Sequence, residues 1–467
     1  VIKKQLCDPG HLRDMLDHWE GMLETFELFP LSEIEALTGI PAAEIERIAE
    51  EFATAESAIC YGRMGISAQA FGGLNHYLIN ILNIITGNLD RRGGMMFTTP
   101  AVDTAVRASQ AGSFATYHSR VRGLPEFNRE LPVTAMAEEM LTPGEGQVKG
   151  FICIAGNPGL STPNGRMLEQ GLEQIDFMVS LDFYLNETSR HADVILPPTG
   201  PLEHEQFDMV FNLLSVHNVA KFSEPLFPHE EGTLSDWEIM SGLIDRLNMI
   251  KTGREPKAPM SLSQMLDGAL RAGPYANGYD EYNGDEVTHQ SEGLTLEKLK
   301  TYPHGVNLGP LQPRFPDFLF TADRKIHTMP APFIKDLERL KAYAEELKAE
   351  PALKLIGRRD LRTNNSWMHN SQRLVKGKDR CGLFVHPTDA KALNLSNGSK
   401  ANIRSRVGEL QVVVEVTDSV MPGSVCLPHG WGHNLEGVQL RVAHTNPGIN
   451  KNDLTDDRYI TKLNRKS

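Results

Sequence analysis

Residues 148–198 read VKGFICIAGNPGLSTPNGRMLEQGLEQIDFMVSLDFYLNETSRHADVILPP, and this stretch decides the fold. Three short apolar runs stand in it: 151–154, 177–179 and 194–196. Helix-compatible segments lie between them, at 165–174 and 185–191. Strands alternating with helices predict a parallel sheet covered on both faces. The first run ends in Gly156-Asn157-Pro158-Gly159, a turn that cannot continue a strand. The second ends on Ser180-Leu181-Asp182, which puts an acid at a strand's carboxyl end. In open α/β sheets, ligands bind off that edge, and an acid one βαβ unit after a glycine turn commonly holds a ribose or base edge. The residues therefore point to a nucleotide-bearing ligand, with Asn157 and Asp182 as polar contacts. An ordinary βαβ unit with a turn glycine reads the same way, since GNPG is not GxGxxG.

Gly156-Asn157-Pro158, then Ser180-Leu181-Asp182, then His191-Ala192-Asp193-Val194-Ile195-Leu196-Pro197 with Glu203-His204-Glu205 beyond, resembles the molybdopterin oxidoreductases of the dimethyl sulfoxide reductase and formate dehydrogenase type. The resemblance implies two molybdopterin guanine dinucleotides holding molybdenum or tungsten. It also implies two-electron chemistry on a small substrate and an electron-transfer protein or subunit as partner. The family's four-iron four-sulfur cluster and side-chain metal ligand lie upstream of the matching region, and the chain reads as the C-terminal part of a catalytic subunit. Two alternatives stay open: a cofactor-lacking structural subunit of a respiratory complex, and a non-redox hydratase on the same cofactor.

The 467 residues suffice for several cores, and 40% hydrophobic with 23% charged residues is a globular composition. No apolar run is long enough for a membrane span. A net charge of -13 without a basic cluster argues against nucleic-acid binding. The five cysteines contain no CxxC, so neither a disulfide framework nor a zinc or iron–sulfur site is expected from them. The chain starts at Val1 and reads as an N-terminally truncated piece, so the compartment cannot be read from that end, and the cytoplasm is preferred to the periplasm only as an expectation.

Upstream, helices are expected at 12–26, 31–38 (capped by Ser32 with Glu35) and 42–54. Residues 58–61 read as a strand running into Gly62-Arg63-Met64-Gly65, with a helix from Gly72 to about Thr86. Strand, glycine turn and helix is a phosphate-cradling layout. The run Thr86-Gly87-Asn88 with Gly93-Gly94 is similar to the family's, which implies cofactor contacts at Gly62, Met64 and Gly65. Asn75 and His76 lie near that helix's start. Formate dehydrogenases carry an arginine motif just after the Gly-Gly. Here Met95-Met96-Phe97-Thr98-Thr99-Pro100 lacks it and Arg107 is displaced, which argues against formate.

Ser235 with Glu238 predicts a helix start. Residues 251–330 are loop-rich, with a short amphipathic helix near 262–270, and read as an insertion or as surface loops, and a helix over 334–347 links to the last domain. From 352 onward, short strands between Gly-rich turns predict a β-barrel, similar to the family's dinucleotide-binding domain. The expected class is thus α/β, with Rossmann-like parallel-sheet domains (1–97 and 98–345) followed by a barrel (346–467). Three polar loops of that barrel offer donors and acceptors. They supply Thr363, Asn364, Asn365, Ser366, His369 and Asn370, then His429, Trp431 and Asn434, then Asn446 and Asn452. With Gly156, Asn157, Pro158, Ser180, Asp182, Thr188 and Asp193 these are the cofactor contacts that the resemblance implies.

Overall fold

The computed structural model describes residues 1–27, 30–104, 106, 114–255, 260–349 and 352–460; Arg107 lies outside them. The chain forms two compact units, each made of two segments: 1–112 with 199–344, and 113–198 with 345–467. The expected segment 98–345 therefore contributes to both units.

In the first unit, helix Gly72–Ile85 is the core element. Leu74, Tyr77, Ile81 and Ile84 are buried along it at helical spacing. Tyr77 stacks on Phe333 at 4.6 Å between ring centroids and donates to the Thr328 carbonyl at 2.7 Å. The expected helix over 12–26 is split into a 3-10 turn, Gly10–Met15, and a helix, Trp19–Glu27. Leu16 turns extended between them, and it bridges to Ile326. Ser32 does not cap its helix: Pro30 holds the N-cap position, and the Glu35 carboxylate instead accepts the Ala42 N–H at 3.1 Å.

Residues 58–61 form no strand. The Asn83 side chain takes the place of a neighbouring strand, accepting the Cys60 N–H and donating to the Cys60 carbonyl, both at 2.9 Å. In the stretch 251–330 the expected short helix is present, and the described residues add strands to it. They contain helix Leu262–Arg271, hairpin Tyr279–Asn283/Glu286–Gln290, and strand Val306–Pro310 paired with His217–Ala220. Leu270, Tyr279, Leu294, Leu299 and Val306 pack into one core with Ala101, Val102, Ala220 and Phe222. Ser235 and Glu238 make the expected capping box.

In the second unit the predicted parallel sheet is present. Strands Gly150–Ile154, Phe177–Leu181 and Val194–Ile195 lie side by side in that order. Helix Gly165–Gln174 covers one face, burying Leu168 and Leu172 against Met178 and Cys153. The segment 185–191 is not a helix, because the Asn186 amide oxygen captures the N–H groups of Thr188 and Ser189 at 2.9 Å each. One 3-10 turn, Ser189–His191, remains. The C-terminal strands form one five-stranded mixed sheet, in the order Lys354–Arg358, Ser424–Pro428, Gly382–Val385, Glu409–Val416, Lys400–Arg404. Val385, Val412, Val414, Val425 and Leu427 fill its core.

Candidate functional site

The carboxyl edge of the parallel sheet is where the second unit gathers its polar groups. After Ile154 the backbone turns through a left-handed Ala155, and Asn157 then starts the short helix Pro158–Ser161. Asn157 is buried. Its amide donates to Glu187 Oε2 at 2.7 Å, and its oxygen accepts the Thr188 hydroxyl at 2.8 Å. The Thr188 oxygen in turn takes the Gly159 N–H at 2.9 Å. Asp182 holds the end of the second strand, accepting from the Tyr184 N–H at 3.1 Å and the Asn186 amide at 2.8 Å. Burial, with a smaller push from the Glu187 charge, raises its carboxyl above the usual range. Ser180 sits behind it, fully buried, with an unpartnered hydroxyl. Asp193 does not belong to this edge. It pairs with the Met178 backbone where the third strand begins, because its carboxylate completes the ladder at the opposite end.

A row of buried side chains leaves this edge. Glu187 Oε1 lies 2.9 Å from His433 Nδ1, and His433 Nε2 lies 2.8 Å from His369 Nδ1. Burial pushes the Glu187 carboxyl up, but the hydrogen bond and charge of His433, with the Asn157 amide, outweigh it and hold Glu187 below its ordinary value. Burial and the neighbouring His433 push His369 down to about 4.

The polar loops interlock through close backbone approach. A Cβ on Gly430 would stand 2.0 Å from the Asn365 carbonyl oxygen, and Gly430 has a φ of +90° that favours glycine. Asn364 and Asn365 are themselves left-handed. Gly432 and His433 donate their N–H groups to the Pro447 carbonyl, and Asn370 accepts the Val442 N–H at 2.8 Å. Asn452 donates to the Leu160 carbonyl at 2.7 Å, tying the third loop to the Asn157 turn. Thr363 is buried over the Asp360 carbonyl, Ser366 is half-buried and Asn434 is exposed. Asn446 lines a cavity of ≈ 580 Å³ together with Gln372, Lys376, Asp379 and Arg441.

These loops leave buried polar atoms unused. Asn365 Oδ1, His369 Nε2 and Trp431 Nε1 have no hydrogen-bond partner, and the His369 and Trp431 rings touch at 4.3 Å between centroids. Orphaned acceptors and donors together fit a fused heterocycle whose edges carry both, as a pterin or guanine does. Beside them stands a cationic group. Burial and then the Arg359 charge lower Lys451, and burial, Lys451 and Arg359 hold His429 at about 4. Among the described residues no carboxylate pairs with Lys451, so this group suits an anion such as a pyrophosphate.

The first unit holds the remaining sequence-predicted residues. Gly65, Cys60, Ile66, Gln69 and Asn75 line a groove of ≈ 450 Å³. Gly65 lies in the short helix Met64–Ser67 and needs no left-handed backbone, and the space beside it is open. The expected strand-turn cradle is thus replaced by a helical turn. Met64 is 68% exposed, and Gly62 packs on Ile66 and Ile79. His76 pairs with the Ser67 hydroxyl at 2.8 Å. Glu187 and His433 were missed as site residues, although the polar triplet Asn186-Glu187-Thr188 directly follows the second strand and was a readable signal.

Among the described residues no three His, Cys, Asp or Glu side chains form a metal-holding group, and no helix is long and apolar enough to cross a membrane. Residues 36–246 match the molybdopterin oxidoreductase family, and residues 353–466 match the molydopterin dinucleotide binding domain. A "Putative formate dehydrogenase" of Staphylococcus haemolyticus is 24% identical over 454 residues, covering 92% of this chain and 42% of that protein. One of Staphylococcus aureus (strain USA300) is 26% identical over 301 residues, covering 61% of this chain and 29% of that protein. The chain therefore spans less than half the length of these curated relatives. Acetylene hydratase from Pelobacter acetylenicus shares the fold, with a TM-score of 0.69 at 17% identity over 97% of this chain and 65% of that one.

Proposed function

The chain belongs to the molybdopterin oxidoreductase family and carries its dinucleotide-binding domain, and on that premise we propose that it is the cofactor-holding part of a catalytic subunit that performs two-electron chemistry on a small substrate. The observation that carries the proposal is the set of buried unpartnered atoms, Ser180 Oγ, Asn365 Oδ1, His369 Nε2 and Trp431 Nε1. A fold without a ligand there would leave each of these polar groups at a cost of about 1–3 kcal/mol. The bis(molybdopterin guanine dinucleotide) group would supply the redox-active metal, molybdenum or tungsten. This chain's residues do the holding: Asn157, Asp182 and Asn452 fix the turns around the sheet edge, while the three polar loops present the free donors and acceptors. Lys451 and Arg359 would balance phosphate charge, with His429 beside them as a neutral hydrogen-bonding group. The proposal assigns no metal ligand and no iron–sulfur ligand to this chain. An electron-transfer protein or subunit is the proposed partner.

Metal and nucleotide analysis of the full-length protein tests this. About two guanine nucleotides per molybdenum or tungsten are expected after denaturation. Protein made in a host that loads related enzymes, yet free of both, would point to a structural subunit instead. Substrate-dependent dye reduction by loaded protein separates the redox enzyme from a hydratase, the activity named for its structural neighbour.

A further inference from the structure

The buried row Glu187, His433, His369 is tied at one end and free at the other. All three side chains are at most 1% exposed. The carboxylate takes His433 Nδ1 on one oxygen and the Asn157 amide on the other; His369 Nε2 has no partner, while the nearby Ser366 backbone favours a proton on the His369 ring. Hydrogen placement follows from elementary rules. An ionised carboxylate only accepts, so His433 Nδ1 carries a hydrogen in every state. When His433 is neutral, its Nε2 is a lone pair, His369 Nδ1 must donate to it, and His369 Nε2 is left as an acceptor. When His433 is an imidazolium, its Nε2 donates, His369 Nδ1 accepts, and His369 Nε2 carries the hydrogen. One proton thus reverses the polarity of the free nitrogen with no heavy atom moving.

We propose that Glu187 and His433 are positioning residues that set, through one shared proton, whether His369 Nε2 accepts from or donates to the edge of the bound pterin. The inference rests on the cofactor-holding reading above. The step balances without electrons. A proton taken up from solvent binds His369 Nε2, the His369 Nδ1–H bond breaks, and a new N–H bond forms at His433 Nε2. The positive charge then rests on His433 beside Glu187. Burial disfavours the same charge on His369, which is held down to about 4. The other charged groups facing the row are Asp360 near His369 and Asp182 near Glu187.

The test uses the cofactor-loaded, full-length protein and reads the midpoint potential of the metal centre against pH. Wild type should show a break where the relay takes up its proton. In Glu187→Gln, with nucleotide content retained, the break should move down by at least about one pH unit, because the imidazolium has lost its carboxylate. His433→Gln should remove it. Superimposable plots for wild type and a loaded Glu187→Gln protein overturn the proposal and leave the cofactor-holding reading intact. Wild-type protein lacking nucleotide overturns both. Should the variants fail to load, ¹⁵N spectra of histidine-labelled wild type decide. A coupled imidazole pair changing tautomer with a single proton supports the relay, and two independently titrating imidazoles refute it.

Discussion

Two glycines respond to substitution in opposite ways, and each follows from what surrounds one Cα. Gly430 combines a φ of +90° with a Cβ position 2.0 Å from the Asn365 carbonyl oxygen. The obstacle is backbone, so nothing flexible can move aside. Gly430→Ala should destabilise the protein by about 2 kcal/mol or more, lowering Tm by at least about 4 °C, with loss of bound nucleotide because both polar loops shift. A melting curve unchanged by this substitution would mean that the two loops do not meet as described. Gly65 is the contrary case. Its helical turn leaves open space where a side chain would go. Gly65→Val should therefore melt close to wild type, and only cofactor content should fall as the branched side chain fills the groove. Normal nucleotide and metal content in that variant would make the groove purely structural.

At the scale of elements, the parallel sheet was legible because its signals are local: apolar runs of strand length, a glycine turn and an amphipathic helix within fifty residues. Two of the errors share a cause, a side chain substituting for backbone. Asn83 pairs with Cys60 from 23 residues away, so an apolar run reads as a strand without being one. Asn186 ends a helix-compatible segment after one turn. The site was legible as loops but not as a network, since His433 lies 246 residues from Glu187 and 64 from His369. One segment bears on substrate. Thr98 accepts the Arg314 guanidinium on its carbonyl at 2.5 Å, and Thr99 gives its N–H to Asn218 at 2.7 Å. Tyr275 holds the Thr99 carbonyl at 2.8 Å. Both threonines are thus committed to the framework, and neither could fix a carboxylate as a bidentate arginine does. Although the curated relatives bear the name formate dehydrogenase, the full-length enzyme should turn over formate poorly. Dye reduction with formate at about 10 per second or faster would refute this.

For the molecule as a whole, the buried imidazoles predict how acid acts on stability. His191, His369 and His429 are each held down to about 4, in every case chiefly by burial, with neighbouring positive charge second. An unfolded histidine titrates near about 6.5. Between those values the unfolded chain binds protons that the folded chain refuses, so stability rises with pH across this window and is flat above it. For the fully buried His369 the full difference is on the order of 3 kcal/mol. Glu187, held below its ordinary value, adds to acid lability only once the pH reaches the carboxylate range. Asp182 and Asp453, raised chiefly by burial, act in the opposite direction, since their protonated forms suit the fold. The histidines titrate first on the way down from neutrality. Calorimetry of the full-length protein should show Tm constant from pH 8 to about 7 and falling steadily from about 6.5 to 5. His369→Gln, which has no proton to refuse, should flatten that fall. A Tm independent of pH over this range would mean that these imidazoles are not held neutral by burial, and the relay ending at His369 would lose its low-dielectric setting.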